Sequence, residues 1–427
     1  MSDPTSKKTA TLRPPMIAAG SILAGLLAAA VLVALGGAAP QEHIVIAAAL
    51  AGFACGWALL AGLSARFTDR PQRWAAVAAG AMALTAFALI VLAPGAAALS
   101  TLGWIWPPLL IALVAWMTRR ARRDQPSRSA RRLLYPVFAV LALCGAGGAY
   151  ETLSRSTNTA VADTTGHRLV DVGGHRLDIR CIGSGSPTVV LEPGLAESAW
   201  TMARWIAPDV ARTTRVCAYD HVGHGRSDTV GERRTDAARD LHVLLRRSGI
   251  AGPYVIAGHS LGGAFALSYT HRYPAEVAGV VLLDSMHPQQ NNALAAMDPL
   301  LALVPTLART GLGRLLFDSR NGEPVAQARQ LVRDIAAIPA ELNRAAKVTS
   351  LGHRPLAVVT AGGGYQAGWV AHQDQLASLS SDTEHRIVAG STHGSLIDDR
   401  ADAAHSSRAI RDVVRAARRS GGHLGAA

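Results

Sequence analysis

Four stretches of the chain, 16–41, 43–65, 74–118 and 133–150, contain no Asp, Glu, Lys or Arg. Charge is scarce overall, 17% of 427 residues against 49% hydrophobic ones. Disordered chains are poor in apolar residues, so that class is excluded. A mean hydropathy of +0.20 argues against a uniformly soluble enzyme as well. Acid is the scarcer sign in the first third, where residues 1–132 hold 13 Lys and Arg but 4 Asp and Glu. Residues 133–427 hold 29 and 26, so the net charge of +12 sits mainly where the chain is most apolar. Nucleic-acid binding needs basic residues gathered into a footprint on a folded surface. Here they punctuate apolar runs instead, so the partner implied is a lipid bilayer and not a nucleic acid.

A bilayer core needs about 20 apolar residues per helix. The third uncharged stretch is too long for one span and is broken by Pro94-Gly95. Five spans are therefore expected, near 16–36, 43–63, 74–93, 97–117 and 133–150. The first apolar run is too long for a cleaved signal peptide, and more spans follow it. Gly and Ala abound in the spans, as where helices approach closely. Apart from His43 at an edge, the spans hold no ionisable residue, which argues against a transporter. Lys7, Lys8 and Arg13 lie before the first span, Arg66, Arg70 and Arg73 after the second, and seven Arg between 119 and 132. The intervening loops have none. By the positive-inside rule the basic segments are cytoplasmic, and five spans leave everything after Tyr150 on the other side.

Residues 151–165 are polar and read as a linker. From 166 to 427, short β-type runs alternate with helical patterns: 167–172, 176–182, 187–192, 214–219, 254–258, 279–284, 354–360 and 384–389 against 200–212, 235–248, 261–273, 365–380 and 401–419. After an opening hairpin this is the rhythm of a mostly parallel sheet with helices on both faces. Apolar helical patterns at 299–317 and 323–347 interrupt it, so a lid is expected at about 287–352.

Gly258-His259-Ser260-Leu261-Gly262-Gly263 follows an apolar strand and precedes a helical stretch. G-x-S-x-G in that context places a serine on a sharp strand-to-helix turn, with its hydroxyl exposed and small residues letting the turn close. The helix start behind it favours developing negative charge. His259 is expected to point away into packing. With 188–194 and Tyr219-Asp220-His221-Val222-Gly223-His224-Gly225-Arg226-Ser227-Asp228, this motif resembles the successive motifs of the α/β-hydrolase fold superfamily. The match covers most of 166–415. A serine at the turn separates the chain from the haloalkane dehalogenases and epoxide hydrolases, which use Asp. The resemblance implies an esterase- or lipase-like serine hydrolase working through an acyl-enzyme, with neither cofactor nor metal.

The order Ser, acid, His is expected on this fold. Eight histidines follow Ser260, and His393 alone lies in a short polar turn, Gly390-Ser391-Thr392-His393-Gly394, after the last strand. The family's usual acid follows the seventh strand, but Thr360-Ala361-Gly362-Gly363-Gly364-Tyr365 offers none. Asp284, ending the sixth strand, takes that place, with Asp382 as the alternative and Asp374 and Glu384 behind it. Oxyanion N–H donors are expected from Leu261 and from Leu195, where Pro193-Gly194 replaces the common His-Gly. Asp220, Arg226, Ser227 and Asp228 are expected to organise backbone. Cys55 and Cys144 fall in spans, while Cys181 and Cys217 fall in strands that the family's order makes neighbours, which implies a disulfide. The sequence thus implies a membrane-anchored serine hydrolase acting outside the cytoplasm on a small-molecule or lipidic ester. A hydrolase-like domain that binds a ligand and regulates through the bundle is the alternative.

Overall fold

The computed structural model describes residues 13–35, 41–125, 127–157, 166–230, 235–290, 301, 303–313, 324–363 and 368–421. They fall in two compact units, one of residues 1–160 with 297–317, the other of 161–296 with 318–427.

The first unit contains α1 (Pro14–Leu35), α2 (Glu42–Phe67), α3 (Trp74–Leu92), α4 (Ala96–Leu102), α5 (Trp106–Asp124) and α6 (Arg128–Thr157). Four of these helices are long and apolar enough to cross a membrane, and a fifth span results if the α4–α5 pair, bent by 47°, counts as one. The expected straight span at 97–117 is thus two helices, broken at 103–105. Thr152 Oγ1 donates to the Gly103 carbonyl at that break (3.1 Å). The expected linker begins later than the composition suggests, because α6 runs on through 157 and buries Glu151 and Thr152. The rest of it, 158–165, lies outside the described residues.

Small residues set the helix approach in this unit. A Cβ added to Gly56 would fall 2.9 Å from the Gly25 Cα, so α1 and α2 touch through backbone. Trp57, next to Gly56, stacks on Phe138, and Trp74 meets both rings at an angle, with centroids 5.9–6.0 Å apart. A short segment from the expected lid, Val304–Leu307 with Ala308–Leu312, also belongs to this unit. Arg309 pairs with Glu42 at the start of α2. Gly311, at φ +85°, comes so near Gly147 that a Cβ on it would lie 2.8 Å from the Gly147 Cα. The single lid expected at 287–352 is therefore divided, one part being held by α2 and α6.

The second unit is an eight-stranded sheet in the order β1-β2-β4-β3-β5-β6-β7-β8. Its strands are β1 (His167–Asp171), β2 (Arg176–Ile182), β3 (Thr188–Glu192), β4 (Val216–Tyr219), β5 (Tyr254–His259), β6 (Val277–Leu283), β7 (Leu356–Ala361) and β8 (Thr383–Val388). The β1–β2 and β2–β4 pairs are antiparallel and the others parallel. Alternate side chains, Val189 and Leu191, Val255 and Ala257, Val281 and Leu283, Ala357 and Val359, make one buried face. It packs on Met202, Ile206 and Val210 of α7 (Ala199–Val210) and on Ile410, Val413 and Val414 of the C-terminal helix Arg400–Gly421. Residues between them, Val190, Ile256, Leu282 and Val358, are equally buried, as strands covered on both sides must be. Further helices are α8 (Ala237–Arg247), α9 (Leu261–Arg272), α10 (Pro324–Ala345) and α11 (Trp369–Ala377). Cys181 and Cys217 are register partners between β2 and β4 and are joined by a disulfide.

Candidate active site

β5 delivers its chain into α9 through a single residue, Ser260, at φ 55° and ψ −122°. This is a conformation that L side chains rarely adopt and that the surroundings must hold. The Ser260 N–H donates to the Leu283 carbonyl (3.0 Å), and its own carbonyl accepts from Met286 N–H (2.9 Å) and Gly263 N–H (3.1 Å). Only glycine fits two positions before the serine and two after it. A Cβ at Gly258 would lie 2.3 Å from the Gly262 carbonyl oxygen, and one at Gly262 would lie 2.2 Å from the Glu192 oxygen. Leu261 opens α9, so its N–H is among those a helix leaves without an internal acceptor. Pro193-Gly194 runs against the serine, since a Cβ on Gly194 would meet Ser260 Cβ at 2.9 Å. Leu195, the next residue, is half-buried.

Asp284 follows β6 at φ 44° and is buried. Its Oδ2 lies 2.7 Å from His393 Nδ1. Its Oδ1 accepts from Ala361 N–H (3.1 Å) and from the Trp369 indole N–H (2.8 Å). His393 sits in the turn after β8, with its side chain 47% exposed. That turn is tied to the end of β7, where Gly363 N–H donates to the Ser391 carbonyl (2.8 Å) and Gly362 N–H to Ser391 Oγ (3.2 Å). The structure therefore brings Asp284 and His393 together. Asp382 is exposed and lies before β8, a whole strand, about 20 Å, from the end that carries His393. Glu384 is occupied by Arg386 and Asp374 by His385.

Three features had no signal in the motifs. Trp369 comes from a stretch legible only as helical, yet it fixes Asp284. His259 is buried, as its packing role requires, but it is polar-bonded at both ring nitrogens. Nδ1 lies 2.6 Å from Glu197 Oε1 and Nε2 lies 2.9 Å from the His393 carbonyl oxygen. Glu192, at the end of β3, accepts from the Tyr219 hydroxyl (2.7 Å) and pairs with His221 Nε2 (2.9 Å). Burial, reinforced by the Glu192 charge, pushes the Tyr219 hydroxyl pKa well up. Tyr219 and His221 border a small cavity of about 90 Å³ that Leu261, Phe265, Gln330 and Ile338 also line. The 220–228 loop is tied to its own backbone and to β2. Asp220 Oδ2 accepts from Arg226 N–H (3.0 Å), Ser227 Oγ accepts from Asp178 N–H (2.9 Å), and Asp228 pairs with Arg176.

Residues 187–318 match the family model described as the alpha/beta hydrolase fold. Among curated proteins, a 2-(acetamidomethylene)succinate hydrolase of Mesorhizobium japonicum is 30% identical over 153 residues, 35% of this chain and 51% of that one. A 2-hydroxy-6-oxo-2,4-heptadienoate hydrolase of Pseudomonas putida is 28% identical over 130 residues, 28% of this chain and 44% of that one. The chain spans about half or less of the length of the curated relatives it matches. A solved esterase from Thermogutta terrifontis superposes with a TM-score of 0.44 at 19% identity, covering 58% of this chain and 97% of that one.

Proposed function

Because the chain carries an α/β-hydrolase domain beside helices of membrane-spanning length, we propose that it is a membrane-anchored serine hydrolase that cleaves a carboxylic ester outside the cytoplasm. The observation that carries this reading is the buried Asp284 carboxylate at 2.7 Å from the ring of His393, on the sheet end where Ser260 turns into α9. In the reaction, neutral His393 takes the Ser260 proton as Oγ attacks the ester carbonyl. Asp284 orients the imidazole and stabilises the imidazolium. The N–H groups of Leu195 and Leu261 receive the oxyanion, with the α9 N-terminus adding its partial positive charge. Collapse returns the proton to the leaving alcohol, and water releases the acyl group by the same route. The relatives named as hydrolases support hydrolysis.

The test is fluorophosphonate labelling of the full-length protein in membranes, followed by an ester panel of graded acyl length. Label on Ser260 is expected, and Ser260→Ala is expected to retain less than about a hundredth of the turnover. An unlabelled, folded wild type would favour a ligand-binding or regulatory domain instead.

A further inference from the structure

The residue before the proposed nucleophile is in contact with both loops that flank it. His259 is fully buried. Its Nε2 faces the main-chain carbonyl of His393 at 2.9 Å, and a carbonyl only accepts, so Nε2 carries a hydrogen. Its Nδ1 faces Glu197 Oε1 at 2.6 Å. The other carboxylate oxygen, Oε2, already accepts from Gly194 N–H at 2.7 Å. The contact between Nδ1 and Oε1 therefore needs one further proton, and the imidazole, ordinarily a stronger base than a carboxylate, holds it. We infer that Glu197 and His259 form a positioning pair for the proposed reaction, a buried imidazolium–carboxylate clamp that fastens the Gly194–Glu197 loop and the main chain of His393 to the Ser260 turn. This inference rests on the proposed function for its catalytic consequence, though not for the charge state of the ring.

The electrostatics agree with the geometry. Burial alone would lower the His259 pKa, but the Glu197 charge and hydrogen bond, the His393 carbonyl and the more distant Asp284 charge together outweigh it and raise it. The groups facing the ring are Glu197 from the loop after β3, Asp284 from the end of β6 and His393 from the turn after β8, whose ring centroid is 4.6 Å away. Raised in the folded state, this site contributes stability that is fully present below the ordinary histidine pKa. That contribution is lost as pH rises through the folded value. On deprotonation one nitrogen presents a lone pair to an oxygen lone pair. One of the two loops is then released, and the proposed base or oxyanion donor shifts with it.

Two measurements on the full-length chain in detergent decide the matter. Nitrogen-15 histidine NMR, with His259 assigned from its loss in His259→Gln, is expected to show both ring nitrogens protonated at about pH 7.5, above the ordinary histidine value. In ester kinetics, Glu197→Ala is expected to lower kcat about tenfold to a hundredfold with KM little changed, as for misplaced groups. Glu197→Gln should recover most of that loss. Its amide donates to a neutral His259 and accepts from Gly194 N–H, so the alkaline fall in kcat that follows His259 deprotonation should also disappear. A neutral His259 at that pH, or a Glu197→Gln no better than Glu197→Ala, would overturn the clamp. A wild type that hydrolyses no ester yet holds a protonated His259 would overturn the function and leave the charged pair standing.

Discussion

At the scale of single residues, Asp284 is the group on which the proposed chemistry turns. It meets His393 through Oδ2 and is braced on Oδ1 by Ala361 N–H and the Trp369 indole. Asp284→Asn is expected to leave the fold intact and to lower kcat about 10⁴-fold, since an amide neither stabilises the imidazolium nor selects its tautomer. Asp382→Asn, at the far end of β8, is expected to leave kcat near wild type. The opposite ranking in steady-state ester kinetics would move the acid. Ser260 and His393 were legible because each lies in a short turn immediately after a strand, where position and chemistry coincide in the sequence. Asp284 was legible only as the first of several candidate acids, because the choice depends on which strand end faces His393. Trp369 and Glu197 were not legible as site residues, since their partners lie 85 and 62 residues away and no local pattern joins them.

At the scale of elements, short β-type runs located the eight strands: central ones such as β3, β5 and β7 are buried on both faces and mostly apolar, while the edge strands β1 and β8 are largely exposed and carry charged residues. The lid was the harder element. Its first part is an apolar helical pattern that fits any apolar partner, and nothing in the sequence names Glu42 as the mate of Arg309. The break between α4 and α5 does not show in the uncharged length of 97–117, although Gly103 and Pro107-Pro108 flank it. The disulfide between β2 and β4 makes a sharper claim. It spans 36 residues, and closing such a loop removes about 4 kcal/mol worth of entropy from the unfolded chain. Cys181→Ser with Cys217→Ser is expected to lower the unfolding temperature by several degrees relative to wild type. Thiol counting on denatured, unreduced protein should find Cys55 and Cys144 free and the other two bonded. Four reactive thiols would remove the bridge and the support it gives to an oxidising compartment.

For the whole molecule, parity of the spans decides the side on which the hydrolase domain works. The apolar part of α5, 106–118, rises only about 20 Å, short of a core about 30 Å thick. The seven residues of α4 add about 10 Å. The bent pair is therefore just long enough to cross once. If it turned back instead, the seven Arg between 119 and 132 would lie on the same side as the 36–43 loop, which has no Lys or Arg. That arrangement opposes the positive-inside rule, whereas a crossing pair puts every basic loop on the side of the N-terminus. A reporter fused after Ala427 is therefore expected to read as extracytoplasmic, and one inserted at 125–127 as cytoplasmic. Swapped readings, extracytoplasmic at 125–127 and cytoplasmic after Ala427, would make the pair re-entrant, and two cytoplasmic readings would remove α6 as a span. The substrate would then have to be sought in the cytoplasm, where the Cys181–Cys217 bridge would be short-lived.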